Sequence, residues 1–222
     1  MMDKNAQQIG FWGVKGSGKT SEMVEHMRGQ NRIIYFDAMG NMRVPESTRL
    51  KTIRGTLEHI KNHWQRGYKI ILEPGNRTSD CMAFMESLLP VLFSVQKPYY
   101  NSKKAITGFE ITLVIDEAQK FFPRGKLSGE YYGLCEDLFT LGRHYGLNIY
   151  GASQRLAQVD TAFRGNCTQQ FFFAQGDHTD IEAVRNSTGL KADDVRAIKK
   201  FEFLHKSNEF GALIKRGKTK KF

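Results

Sequence analysis

Eight residues near the start of the chain, Gly-Val-Lys-Gly-Ser-Gly-Lys-Thr at 13–20, match G-x-x-x-x-G-K-[ST] at every fixed position. Glycines at 13, 16 and 18 let the backbone bend so that successive N–H groups face a phosphate, and a following helix adds its positive N-terminal end. In such a loop Lys19 bridges the β- and γ-phosphates of a nucleoside triphosphate. Ser17 lies in the same cradle, and Thr20 offers a hydroxyl to Mg²⁺. With glycine at roughly 7% of residues, a chance match in a chain this long is on the order of one per cent.

Two further stretches carry chemistry. Glu-Ile-Thr-Leu-Val-Ile-Asp-Glu at 110–117 is an apolar run ending in two acids, the Walker B form, with Asp116 as metal partner and Glu117 as candidate general base. Taken alone, an Asp-Glu pair after an apolar run could equally be surface acids. Asn-Ile-Tyr-Gly-Ala-Ser-Gln at 148–154 is a second apolar run. It places the Gln154 amide at a strand's C-terminal end, where ligands bind in parallel sheets. There it bonds the γ-phosphate or the attacking water, or simply caps the strand. Arg143, near a helix end, is a candidate arginine finger for a neighbouring subunit, with dipole capping as the bland alternative and Arg155 and Arg164 as rivals.

The elements that must position these groups follow from the apolar runs, which alternate with helix-like stretches as crossover-connected parallel strands do. Strands are expected at 9–14, 32–37, 69–73, 111–116, 148–153 and 170–174. Helices are expected at 19–27, 56–65, 79–96, 131–144, 161–167, 179–186 and 192–200. A hairpin at 203–205 and 212–215 leads into a basic tail at about 215–222, and 39–52 and 97–108 read as loops. The whole predicts one α/β domain over 1–222, a mostly parallel central sheet flanked by helices with a C-terminal β-hairpin.

The chain has 222 residues, 40% hydrophobic and 25% charged, which excludes disordered and fibrous classes. Its longest apolar stretch, 82–95, falls short of the roughly 20 residues that span a bilayer, so no membrane span is expected. The N-terminus lacks a signal-peptide pattern, which points to the cytoplasm. Cys81, Cys135 and Cys167 are scattered and form no C-x-x-C pair, so they read as reduced thiols. The net charge is +10, and over 191–222 ten Lys/Arg stand against four Asp/Glu. Such an end suits phosphate contacts that do not read bases.

Together the phosphate loop, Leu-Val-Ile-Asp-Glu-Ala, and Arg-His-Tyr-Gly-Leu-Asn-Ile-Tyr-Gly-Ala-Ser-Gln-Arg resemble the HerA/FtsK superfamily of DNA-pumping ATPases. In size the chain is similar to the genome-packaging ATPases of internal-membrane icosahedral viruses. The resemblance implies a RecA-like (ASCE) P-loop core and ATP and Mg²⁺ as cofactors. It also implies double-stranded DNA as substrate, a homo-oligomeric ring (hexamer or pentamer), and capsid vertex or portal proteins as partners in the host cytoplasm or virion. It assigns nucleotide and Mg²⁺ to Lys19 and Thr20, Walker B to Asp116 and Glu117, the sensor to Gln154 and the finger to Arg143. Alternatives are a Zot-like phage assembly or secretion ATPase, a P-loop small-molecule kinase, and a nucleotide-dependent interaction module that does not hydrolyse.

Overall fold

A computed structural model describes residues 6–101, 108–208 and 213–220. The strands are β1 (Gln8–Trp12), β2 (Arg32–Phe36), β3 (Thr48–Leu50), β4 (Tyr68–Leu72), β5 (Ile111–Ile115), β6 (Leu147–Ser153), β7 (Gln169–Phe172), β8 (Glu202–Ser207) and β9 (Leu213–Lys218). The helices are α1 (Lys19–His26), α2 (Ile53–His63), α3 (Thr78–Asn101), α4 (Ala118–Phe121), α5 (Gly129–Leu141), α6 (Thr161–Asn166), α7 (His178–Thr188) and α8 (Ala192–Arg196). A 3-10 turn, Gly142–Tyr145, joins α5 to β6.

All nine strands form one sheet in the order β3-β4-β2-β5-β6-β1-β7-β8-β9. Pairings from β3 through β7 are parallel; β7 with β8 and β8 with β9 are antiparallel. The expected α/β class, mostly parallel sheet and C-terminal hairpin are what the structure has. Strands β1, β2, β5 and β6 are buried along their whole length, as a parallel sheet covered on both faces requires. Successive side chains enter opposite cores. Phe11 and Phe171 pack with Met23 of α1 on one face. Trp12 and Phe172 pack with Phe163 and Val184 on the other.

Several expectations are corrected. The stretch 39–52 holds β3, a three-residue edge strand paired with β4; it is mostly exposed and carries no apolar run for periodicity to find. Helix α3 does not stop at 96 but passes through Pro90 and Pro98 to Asn101. Its buried face, Cys81, Met85, Leu88, Leu89, Leu92 and Gln96, offsets the backbone hydrogen bonds that proline removes. The remainder of the expected loop, 102–107, and most of the hairpin's turn, 209–212, lie outside the described residues. With that extra length α3 is, by length and composition, long and apolar enough to cross a membrane. A core helix meets the same measure, and Cys81, Met85, Leu88, Leu89 and Leu92 of α3 pack into the core beneath it. Helix α5 gives way to the 3-10 turn at Gly142, and Gly146, at φ 68°, ends that turn. Helix α8 ends at Arg196, and Phe201, at φ 66°, turns the chain into β8. The three cysteines are free and buried; burial pushes Cys81 up to about 11 and Cys135 and Cys167 up to about 12.

Candidate nucleotide site

Strands β5, β6 and β1 are adjacent and parallel, so the residues that follow each of them emerge at one edge of the sheet. Asp116 and Glu117 follow β5, Gln154 follows β6, and the glycine loop follows β1. The order places β6 between the loop strand and the acid strand. That spacing leaves a crevice about two strand widths across, roughly 10 Å.

The loop is tied down at its base. Gly13 N–H donates to Ser153 O at 3.1 Å and Val14 N–H to Ala174 O at 2.9 Å. Gly13, Gly16 and Gly18 have φ of 153°, 73° and 115°, and the last two are open mainly to glycine. A Cβ at Gly18 would stand 2.7 Å from Thr219 Cγ2 and 3.1 Å from Phe201 Cδ1. The far end of the chain therefore forms the loop's outer wall, and Phe201 N–H donates to Ser17 O at 2.9 Å.

Lys19 is buried, and its Nζ donates to Gly13 O at 2.7 Å and Val14 O at 3.0 Å. Burial pulls its pKa down, while the charges of Asp116 and Glu117 act against that. It forms no ion pair among the described residues. A buried ammonium with two neutral carbonyls and one donor left over fits a phosphate. Ser17 is buried, with its Oγ unpartnered; Thr20 lies exposed in the first turn of α1. Burial, then the neighbouring Glu117 charge, raises the pKa of Asp116, and Lys19 opposes the shift. A carboxylate in that setting fits a divalent cation.

Glu117 sits in the left-handed region, at φ 59° and ψ 53°, where a non-glycine residue persists only if its surroundings hold it. Two amides do so: Gln154 Nε2 donates to Glu117 Oε1 and Gln119 Nε2 to Oε2. Gln119 in turn accepts from Ser153 Oγ at 2.6 Å, and Ser153 Oγ accepts from Arg155 N–H at 2.9 Å. Gln119 escaped the sequence reading; its only signal was the short step from Glu117. A second missed group is Asp37, a buried carboxylate after β2 that accepts from the N–H groups of Met39, Asn41 and Met42 and so shapes the loop that follows.

The three arginines go elsewhere. Arg155 is held by Asp180 at 2.9 Å and Asp177 at 3.4 Å, a latch that fixes the segment behind Gln154. Arg164 lies on α6, away from the crevice. Arg143 is in the 3-10 turn before β6, at the strand's opposite end. The seven residues of β6 put it about 20 Å from Gln154, so Arg143 does not join its own chain's crevice.

The Zot family (zonular occludens toxin) matches residues 94–182. No curated protein matches the chain. Among solved structures, the genome packaging NTPase B204 from Sulfolobus turreted icosahedral virus 2, in complex with AMPPCP, is 15% identical, with 97% of this chain and 98% of that chain covered and a TM-score of 0.72. VirB4 of Thermoanaerobacter pseudethanolicus is 12% identical, with 97% and 90% covered and a TM-score of 0.61. The pCW3 conjugation coupling protein TcpA is 18% identical, with 98% and 61% covered and a TM-score of 0.58. At these identities the likeness is one of architecture: the chain has the fold of the genome packaging NTPase B204 over nearly its whole length.

Proposed function

We propose that the chain is a single-domain, ATP-hydrolysing motor that translocates double-stranded DNA and packages a viral genome into a preformed capsid. The observation that carries this reading is the pairing of Glu117 with Gln154 across the crevice from Lys19. A plain nucleotide switch needs no carboxylate there, whereas a hydrolase does. Gly13, Gly16, Ser17, Gly18, Lys19 and Thr20 would hold the triphosphate, and Thr20 and Asp116 would hold Mg²⁺. When bound, ATP supplies the phosphoanhydride bond to be split. The Glu117 carboxylate would accept one proton of a water whose oxygen bonds the γ-phosphorus as the bond to the departing diphosphate breaks, and the Gln154 amide would orient the carboxylate and the water. Arg143, too far from its own crevice, serves the next subunit of a homo-oligomeric ring of five or six. The basic C-terminal region meets the DNA backbone. Packaging sets the workplace in the host cytoplasm at a capsid vertex, with portal or vertex proteins as partners.

The test is the rate of ATP turnover with and without duplex DNA. Turnover should rise with duplex, fall with added salt and collapse in Lys19→Ala; a rate indifferent to duplex would remove the motor reading. The Zot family match over 94–182 favours a second reading, a phage assembly or secretion ATPase. Its turnover would not respond to duplex DNA.

A further inference from the structure

On the sheet face opposite α1, a cleft of about 700 Å³ opens between α6 and α7 over β7 and β8. Arg124, Arg164 and Lys206 line it, with Asn186, Asn208 and Thr179 as neutral hydrogen-bonding groups. The cleft is far too large for one small anion.

Its cations form no direct ion pair among the described residues, although Asp160 and Asp180 act on Arg164. Neither Arg124 nor Arg164 forms an ion pair among the described residues, and Arg164 Nε is buried without an acceptor. Burial, then the Arg124 charge, disfavours the cationic form of Arg164; Asp160 offsets this in part. The acid in the cleft, Glu182, is already held by Arg185 Nη1 at 2.6 and 2.8 Å and lies 3.8 Å from His178. Two guanidinium groups that line one cleft and repel each other cost electrostatic energy that a bound phosphate removes.

The register of the hairpin extends this charge outward. Lys206 lies opposite Ile214, Leu204 opposite Arg216, and Glu202 opposite Lys218. Paired residues in a sheet share a face, as do residues two apart along a strand. Arg216 and Lys218 therefore stand on the same face as Lys206, both exposed and without an ion pair among the described residues. The cations Arg124, Arg164, Lys206, Arg216 and Lys218 thus make one band from α6 across β8 to the sheet's edge.

We infer that this band is a track for a nucleic-acid backbone, with Arg124 and Arg164 gripping phosphodiester groups inside the α6–α7 cleft and Arg216 and Lys218 gripping them outside it. Neutral amides and hydroxyls interleaved with cations are the groups that contact phosphate and sugar without reading bases. The inference rests on the DNA-motor reading and extends its basic C-terminal end inward, through Lys206, to Arg124 and Arg164 in the α6–α7 cleft.

The experiment is binding of a labelled duplex of arbitrary sequence to the full chain, titrated from about 50 to 200 mM salt, for wild type, Arg124→Gln/Arg216→Gln and Arg164→Gln. Each lost contact should lower the slope of log K against log salt by about 0.9, hence by about 1.8 in the double variant, equally for any sequence. Binding of a fluorescent ATP analogue should be unchanged, which shows that each variant is folded; Arg124 and Arg216 are exposed and tolerate the change. If wild type binds duplex and the double variant keeps its slope, the track is wrong while the motor reading stands. If wild type binds no duplex, both fall. If Arg164→Gln stops turnover yet leaves the duplex slope intact, that cation serves a neighbour's nucleotide and the track is overturned.

Discussion

The two ends of β6 carry residues of similar promise and opposite reach. At the C-terminal end Ser153 and Gln154 enter a closed network with Glu117 and Gln119. At the N-terminal end Arg143 stands exposed, its Nε only 3.4 Å from the ring of the adjacent His144. The difference teaches that a motif residue acts within its chain only if topology delivers it to the same sheet edge. Parallel strands deliver everything that follows them and nothing that precedes them.

The strongest way to break this contrast is to remove Arg143. If it serves a neighbour, Arg143→Ala lowers turnover by about 10³- to 10⁵-fold. Mixing those subunits with Lys19→Ala subunits should then restore activity at mixed interfaces. Gln154→Ala mixed with Lys19→Ala should show no such rescue, because both residues serve their own crevice. Absence of rescue in both mixtures would leave Arg143 as a helix-end cation.

Next in size is Glu117→Gln, expected to cut turnover about 10²- to 10⁴-fold while nucleotide and duplex still bind. Normal turnover would show the proton acceptor to be misassigned. A smaller effect concerns stability against pH. The folded chain holds the Asp116 proton more tightly than the unfolded chain does, because its pKa is raised. Metal-free stability therefore falls as pH rises through the range just above ordinary carboxylate values. Asp116→Asn should flatten that fall and raise Tm at neutral pH, by about 2–4 °C for each kcal/mol recovered, while abolishing turnover. An unchanged or steeper pH profile would contradict the assigned shift.

The smallest effect lies at the middle of the same strand. A Cβ at Gly151 would stand 2.7 Å from the Phe163 ring, so Gly151→Ala should cost about 1–3 kcal/mol by overpacking. Denaturant unfolding should show a lower midpoint. A midpoint equal to wild type would mean that the β6 centre yields more easily than its two ends suggest.

What the sequence made legible was whatever a short window contains. The glycine loop, the acid pair and Gln154 each announce themselves by local type and spacing, and the apolar runs before them place the strands. Gln119 could not be found that way, because its meaning depends on β6 lying beside β5. Strand β3 has no apolar signature, since its partner covers only one edge. The run of α3 beyond Pro98 depends on packing that no local propensity records. Least visible was the wall over Gly18, built from Phe201 and Thr219 some two hundred residues downstream.

That wall has a mechanical consequence. Strand β9 ends at Lys218, and the next residue presses its methyl group on Gly18 while its N–H donates to Phe201 O at 2.9 Å. Tension or torque applied to the carboxyl-terminal strand thus reaches the glycine loop through a handful of atoms, with no helix or hinge between. A fluorophore or tether fixed at Lys220 would act as a strain gauge on the loop itself, reading in real time whatever load the last strand bears.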